Sequence, residues 1–183
     1  MHRWRNGTSS PRELNNYYHN VLPQSVNVTP ELMKLFGYYT AGGYSRKELG
    51  FCFGAHENYL VEDLKISMKN QFNLEPSNIL IKDNRVNITY NVLPLARFFA
   101  KYCGKGAHNK HVPTFLFDAP IDYFLGFLKG YILGDGHITK EGRITTASVS
   151  KQLILELNWL CRMHGIKSFI NEYTSKGGRK IGK

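Results

Sequence analysis

Cysteine is scarce in this 183-residue chain: Cys52, Cys103 and Cys161 form no CxxC pair and are too few for a disulfide framework. They read as reduced thiols. No apolar signal core follows Met1-His2-Arg3-Trp4-Arg5-Asn6, so a cytoplasmic, intracellular protein is expected. No apolar run approaches the roughly 18–20 residues of a membrane span, which argues against a membrane partner. Acidic residues are also short, 14 Asp and Glu against 24 Lys and Arg, for a formal charge of +10 with neutral histidines. Hydrophobic residues at 42% and aromatics at 13% exclude a disordered acidic chain. What remains is a globular cation whose first candidate partner is nucleic acid. The excess is steepest between His137 and Lys183, with nine basic and three acidic residues.

The chain repeats itself. Leu35-Phe36-Gly37-Tyr38-Tyr39-Thr40-Ala41-Gly42-Gly43-Tyr44-Ser45-Arg46-Lys47-Glu48 aligns without gaps on Leu128-Lys129-Gly130-Tyr131-Ile132-Leu133-Gly134-Asp135-Gly136-His137-Ile138-Thr139-Lys140-Glu141, at an offset of 93 residues. Six of the fourteen pairs are identical, and the register continues through Leu60 with Leu153, Leu64 with Leu157 and Met68 with Cys161. A match that holds register across two elements indicates a tandem duplication.

Each copy opens on a helix. Thr29-Pro30-Glu31 supplies a cap, a first-position proline and a first-turn acid, and the helix runs to Gly42-Gly43. Asp118-Ala119-Pro120 opens the second, which stops at Gly136. A β-prone stretch follows each helix, Leu49–Gly54 and Arg143–Val149, and then an amphipathic helix, Tyr59–Phe72 and Gln152–His164. Copy one continues with strands Asn78–Lys82 and Val86–Tyr90 about an Asp83-Asn84 turn and a last helix over 93–102. Copy two reaches a third strand, Ile166–Tyr173, and a turn, Thr174–Arg179; by the period it lacks its final strand and helix. The expected fold class is α+β. Residues 1–29 read as an extension, 30–119 as the first half-domain and 120–183 as the second, incomplete at its C-terminal side.

Gly37 and Ala41, like Gly130 and Gly134, lie four apart and give each repeated helix a face almost free of side chains. Two such faces predict a close pseudo-symmetric helix pair with the ends Gly42-Gly43 and Asp135-Gly136 side by side. A carboxylate beside helix-end carbonyls suits a divalent cation.

Phe127–Gly136 closely resembles the second signature of the LAGLIDADG homing endonucleases, and Leu35–Gly43 resembles the first. The resemblance runs from Val28 to the C-terminus and is nearest to single-chain, two-copy archaeal members, of intron-encoded or intein type. Without a splicing residue at its start, the chain fits the free-standing, intron-encoded kind better. It implies duplicated αββαββα halves, an antiparallel β-saddle on double-stranded DNA, two packed central helices and a monomer with internal pseudo-dimer symmetry. It also implies Mg²⁺, for which Ca²⁺ or Mn²⁺ can substitute, and metal-assisted hydrolysis of both strands at a long site. The metal positions carry over to Asp135 and Gly42, with the carbonyls of Gly134 and Ala41.

Three positions depart from that pattern. Gly42 stands where the family has an acid, Thr89-Tyr90-Asn91 lacks the basic residue near the fourth strand, and copy two is short. These imply impaired catalysis and keep open a non-cleaving DNA-binding protein or an RNA maturase of the same fold. On the expected DNA face, strand alternation selects Arg85, Asn87 and Thr89. The loops after each motif add Tyr44, Arg46 and Lys47, and His137, Thr139 and Lys140. Arg143, Thr145 and Ala147 follow on the next strand, with Lys176, Arg179 and Lys180 in a basic turn. Cys103, His108 and His111 lack a fourth ligand at zinc spacing, and Gly104-Lys105-Gly106 lacks phosphate-loop spacing.

Overall fold

The structure, a computed structural model, describes residues 22, 23 and 25–172. Helix α1 (Pro30–Gly42) starts where Thr29 Oγ1 accepts the Leu32 amide at 3.0 Å, with Pro30 in the first turn. Strands β1 (Tyr44–Ser45) and β2 (Leu49–Gly54), helix α2 (Asn58–Phe72), strands β3 (Asn78–Lys82) and β4 (Arg85–Tyr90) and helix α3 (Leu93–Cys103) complete the first copy. Short 3₁₀ turns at Ala107–Asn109 and Thr114–Phe117 lead to α4 (Ile121–Asp135), β5 (Gly136–Ile138), β6 (Ile144–Thr146) and α5 (Lys151–Met163).

The first copy forms one antiparallel sheet in the order β1-β2-β4-β3. Asp83 and Asn84 both take positive φ, as a two-residue hairpin turn requires. Alternation sends Phe51, Phe53, Val86, Ile88 and Tyr90 into the core. There an aromatic cluster of Phe36, Phe72, Phe98, Phe99 and Tyr102 joins α1, α2 and α3, with centroids 5.1–6.2 Å apart. The second copy has the two-stranded sheet β5-β6.

Helices α1 and α4 form the main junction between the copies. A Cβ at Gly37 would collide with the Phe127 carbonyl, and one at Gly130 with the Lys34 carbonyl. The backbones therefore touch across a seam that tolerates only glycine there. Gly126 against the Pro30 carbonyl extends the seam by one turn.

Three expectations change. Helix α4 begins at Ile121 after a Pro120 cap that makes no side-chain bond, and Asp118 instead ends the preceding 3₁₀ turn. Strand β6 is confined to three residues, and residues 166–172 are irregular: among the described residues no strand lies beside them to complete a ladder. The Thr174–Arg179 turn, with Lys176, Arg179 and Lys180, and residues 1–21 of the extension lie outside the described residues. The three cysteines are free. No described helix is long and apolar enough to cross a membrane.

Candidate nucleic-acid interface and metal position

The two repeated helices end at aligned residues. Gly42 is the last residue of α1 and Asp135 the last of α4; the caps Gly43 and Gly136 are both extended, at φ −88° and −92°. A Cβ on Gly134 would sit 2.7 Å from that of Ala41, so the ends adjoin as the small-residue faces require. Asp135 projects an exposed carboxylate that makes no ion pair among the described residues. Partial desolvation raises its pKa. One turn earlier Tyr131 is buried, and its hydroxyl has no partner among the described residues. Burial, then the Asp135 charge, push that phenol up to about 12.

The first helix end differs in two ways. Gly42 offers no ligand, and a Cβ there would stand 2.8 Å from the Cys52 carbonyl, so β2 presses on the space an acid needs. Nor are its last carbonyls bare. Lys110, in the segment joining the copies, is 5% exposed; its Nζ donates to the Tyr39 carbonyl at 2.7 Å and the Gly43 carbonyl at 3.1 Å. The same Nζ lies 3.2 Å from the centroid of the Tyr39 ring, whose hydroxyl donates to the Gly104 carbonyl at 2.9 Å. Burial lowers the Lys110 pKa to about 7 and lifts the neighbouring Cys103 thiol to about 12. Sequence reading missed Lys110, because a single lysine between helices has no periodicity to mark it as internal.

Opposite the core, the sheet of the first copy presents a face of small and polar residues. Register places Tyr44 beside Gly50, Gly50 beside Thr89, Asn87 between Cys52 and Leu80, and Arg85 between Gly54 and Lys82. The Tyr44 ring lies directly on Gly50, which has no side chain to displace it. The Arg46 guanidinium sits 5.5 Å from the Tyr44 centroid. Arg85, Asn87 and Thr89 therefore share a face away from the core, as alternation predicts. Lys82 and Asn78 on β3 join that face and were missed; the hairpin register implied by Asp83-Asn84 carries the signal for them. Tyr44 belongs to a strand rather than a loop, since it pairs with Gly50.

In the second copy His137 pairs with Thr145, whose Oγ1 donates to the His137 carbonyl at 3.4 Å. Thr139 Oγ1 accepts the Arg143 amide at 3.2 Å, so this hydroxyl closes the turn. Lys140, Arg143 and Ala147 are exposed, Arg143 and Ala147 lying just outside β6. The described residues contain no group of three or more His, Cys, Asp or Glu side chains able to hold a metal. Cys103 lies fully buried at the end of α3, out of reach as a zinc ligand.

A family model described as a LAGLIDADG-like domain matches residues 122–182. An uncharacterized protein of Methanocaldococcus jannaschii is 30% identical over 173 residues, covering 85% of this chain and 19% of that protein. A DNA polymerase of Thermococcus kodakarensis is 32% identical over 145 residues, covering 73% of this chain and 8% of the polymerase. The ATP-dependent DNA helicase Hel308 of the same organism is 28% identical over 180 residues, 88% of this chain and 16% of the helicase. The chain thus spans about a fifth or less of the length of these relatives. Among solved structures, a variant of the homing endonuclease I-DmoI in complex with its nicked target DNA and manganese superposes at a TM-score of 0.57. The identity is 14%, over 76% of this chain and 79% of that one. Mesophilic variants of I-DmoI give 0.57 at 14% identity, over 75% and 78%. The chain carries a LAGLIDADG-like domain at residues 122–182 and has the fold of the LAGLIDADG homing endonucleases.

Proposed function

We propose that this chain, as a monomer, grips a long DNA duplex along its saddle and hydrolyses phosphodiester bonds with a divalent cation, cutting one strand in preference to two. The observation that carries this reading is the contact of Ala41 with Gly134, which brings the two helix ends together with a single carboxylate, that of Asp135, on the last residue of α4. Asp135 with the Gly134 and Ala41 carbonyls offers only hard oxygen donors, the set that suits Mg²⁺, and its unpaired, partly desolvated carboxylate fits a cation. When bound, such an ion stabilises charge on phosphate oxygens and makes a water nucleophilic near neutral pH.

The residues of the chain do the rest. Arg85, Lys82 and Arg46 neutralise phosphates, and Asn87 and Thr89 offer donors and acceptors to base edges. The I-DmoI variant, solved with its target DNA and manganese, supports the choice of ligand and ion class. A matching segment that occupies a small part of both a DNA polymerase and a DNA helicase supports a self-contained unit carried by different hosts.

The pressure of the Cys52 carbonyl on Gly42 favours a second reading, a non-cleaving DNA-binding protein or an RNA maturase. A salt series on mixed-sequence duplex DNA and on structured RNA of equal length decides between the partners. Duplex binding is expected to fall with a log–log slope steeper than about −5, since each neutralised phosphate contributes ~0.9. A shallow slope, or tighter binding to the RNA, overturns the DNA reading.

A further inference from the structure

Lys110 is a buried ammonium that no described carboxylate pairs with. Both of its hydrogen-bond acceptors are main-chain carbonyls flanking Gly42 at the negative pole of α1. Its main chain is tied down as well. Its own carbonyl accepts from Ser150 Oγ at 2.6 Å, and Ser150 in turn caps α5 by accepting the Leu153 amide. Two residues on, the Val112 amide donates to Glu156 Oε2 at 2.8 Å. The linker is thereby fastened to α5 while its ammonium is fastened to α1. At the end of α4 none of the described hydrogen bonds brings a lysine or arginine to the last carbonyls; there the free group is the Asp135 carboxylate.

We infer that Lys110 supplies, from inside the fold, the positive charge that the carboxylate-free end of α1 would otherwise take from a bound cation, so that the first half grips its share of a duplex without divalent metal. This rests on the DNA reading above. A helix C-terminus carries roughly half a negative charge and repels a phosphate backbone brought against it. Below neutral pH, where Lys110 keeps its proton, an ammonium set on these carbonyls cancels that pole and leaves a net positive charge, in a low-dielectric site where its field is weakly screened. The two halves then differ in kind: the first binds through a built-in cation and lacks chemistry, and the second carries the acid.

The test uses the full chain, a mixed-sequence DNA duplex, and EDTA or Ca²⁺ below neutral pH. Lys110→Met is expected to weaken duplex binding about fivefold in both buffers, as Gly42 gives Ca²⁺ no carboxylate through which to compensate. Lys110→Gln keeps a donor for the two carbonyls and loses the charge, and is expected to show the same loss with its cooperative melt retained. Affinity like that of the parent in Lys110→Gln overturns the proposal. A measurement on the unaltered chain guards against misfolded variants: by linkage, the Lys110 Nζ resonance should titrate at higher pH once duplex is bound. An unmoved titration overturns the proposal. Failure of the parent to bind duplex at all counts instead against the DNA reading.

Discussion

Phe51 on β2 and Ile144 on β6 hold the same place in the 93-residue repeat, yet Phe51 is fully buried and Ile144 is 51% exposed. Leu32 on α1 and its counterpart Leu125 on α4 differ in the same way, 2% against 42%. In the first copy Phe51 pairs with Ile88 on β4 and meets Phe99 of α3 edge-on at 6.1 Å. In the second copy no described element lies over Ile144. The hydroxyls of the paired tyrosines repeat the contrast. Tyr38 donates to Asp63 Oδ2 at 2.8 Å, whereas Tyr131 has no described partner. Two copies of one sequence pattern are thus stabilised differently: the first by its own core, the second mainly by α4 against α1 and by α5.

If the second copy leans on the first through the helix seam, breaking the seam should remove both. Gly130→Leu drives a side chain into the Lys34 carbonyl, where neither backbone can yield. Its expected cost is about 4 kcal/mol or more, seen as loss of the cooperative thermal transition. A variant that melts like the parent would mean that the helices do not meet as described.

The same comparison predicts unequal local stability. Amides of β5 and β6 should exchange with solvent at least about a hundredfold faster than those of β2 and β4, as a two-stranded ribbon with one exposed face opens locally. Equal protection by hydrogen-exchange mass spectrometry would show that the second sheet is covered after all.

The first copy is legible in sequence because its signals agree. Thr29-Pro30-Glu31 caps a helix, Asp83-Asn84 fixes a hairpin register, and strict alternation in Val86–Tyr90 assigns faces. The helix seam is legible too, since small residues four apart in both copies, Gly37 with Ala41 and Gly130 with Gly134, have few other uses, although Gly126 falls outside the aligned motif and escapes notice. Strand boundaries in the second copy are not legible. Arg143–Val149 and Ile166–Tyr173 have β-prone residues, but a ladder requires a partner, which local propensity does not encode. Lys110 is hidden for a related reason: its burial follows from where the linker crosses α1, a tertiary fact. At the site, Asp135 and Gly42 are read correctly as aligned helix ends, while the Cys52 carbonyl against Gly42 appears only in three dimensions.

Lys110 also distinguishes the halves by pH. Its folded pKa of about 7 lies below the ordinary 10.5, so above pH 7 the unfolded chain binds the proton that the folded chain has released. Stability is expected to rise between pH 7 and 9, by about 2 kcal/mol from this residue, and Lys110→Met should flatten the rise. Toward pH 10 the rise ends, because the Cys103 thiol, ordinarily at 9.0 and held near 12 by burial, ionises first in the unfolded chain and offsets the Lys110 contribution. A flat parent profile from pH 7 to 9 would mean that Lys110 is not desolvated.

The inequality of the two helix ends is tested most directly by cleavage of a supercoiled plasmid carrying a target selected by binding, with Mg²⁺ present. One carboxylate predicts nicked circles as the product, abolished by Asp135→Asn without loss of DNA affinity. Gly42→Glu is expected to shift the product toward linear DNA, at a cost of about 1 kcal/mol for displacing the Cys52 carbonyl. Linear DNA from the unaltered chain, or equal nicking by Asp135→Asn, would contradict the account.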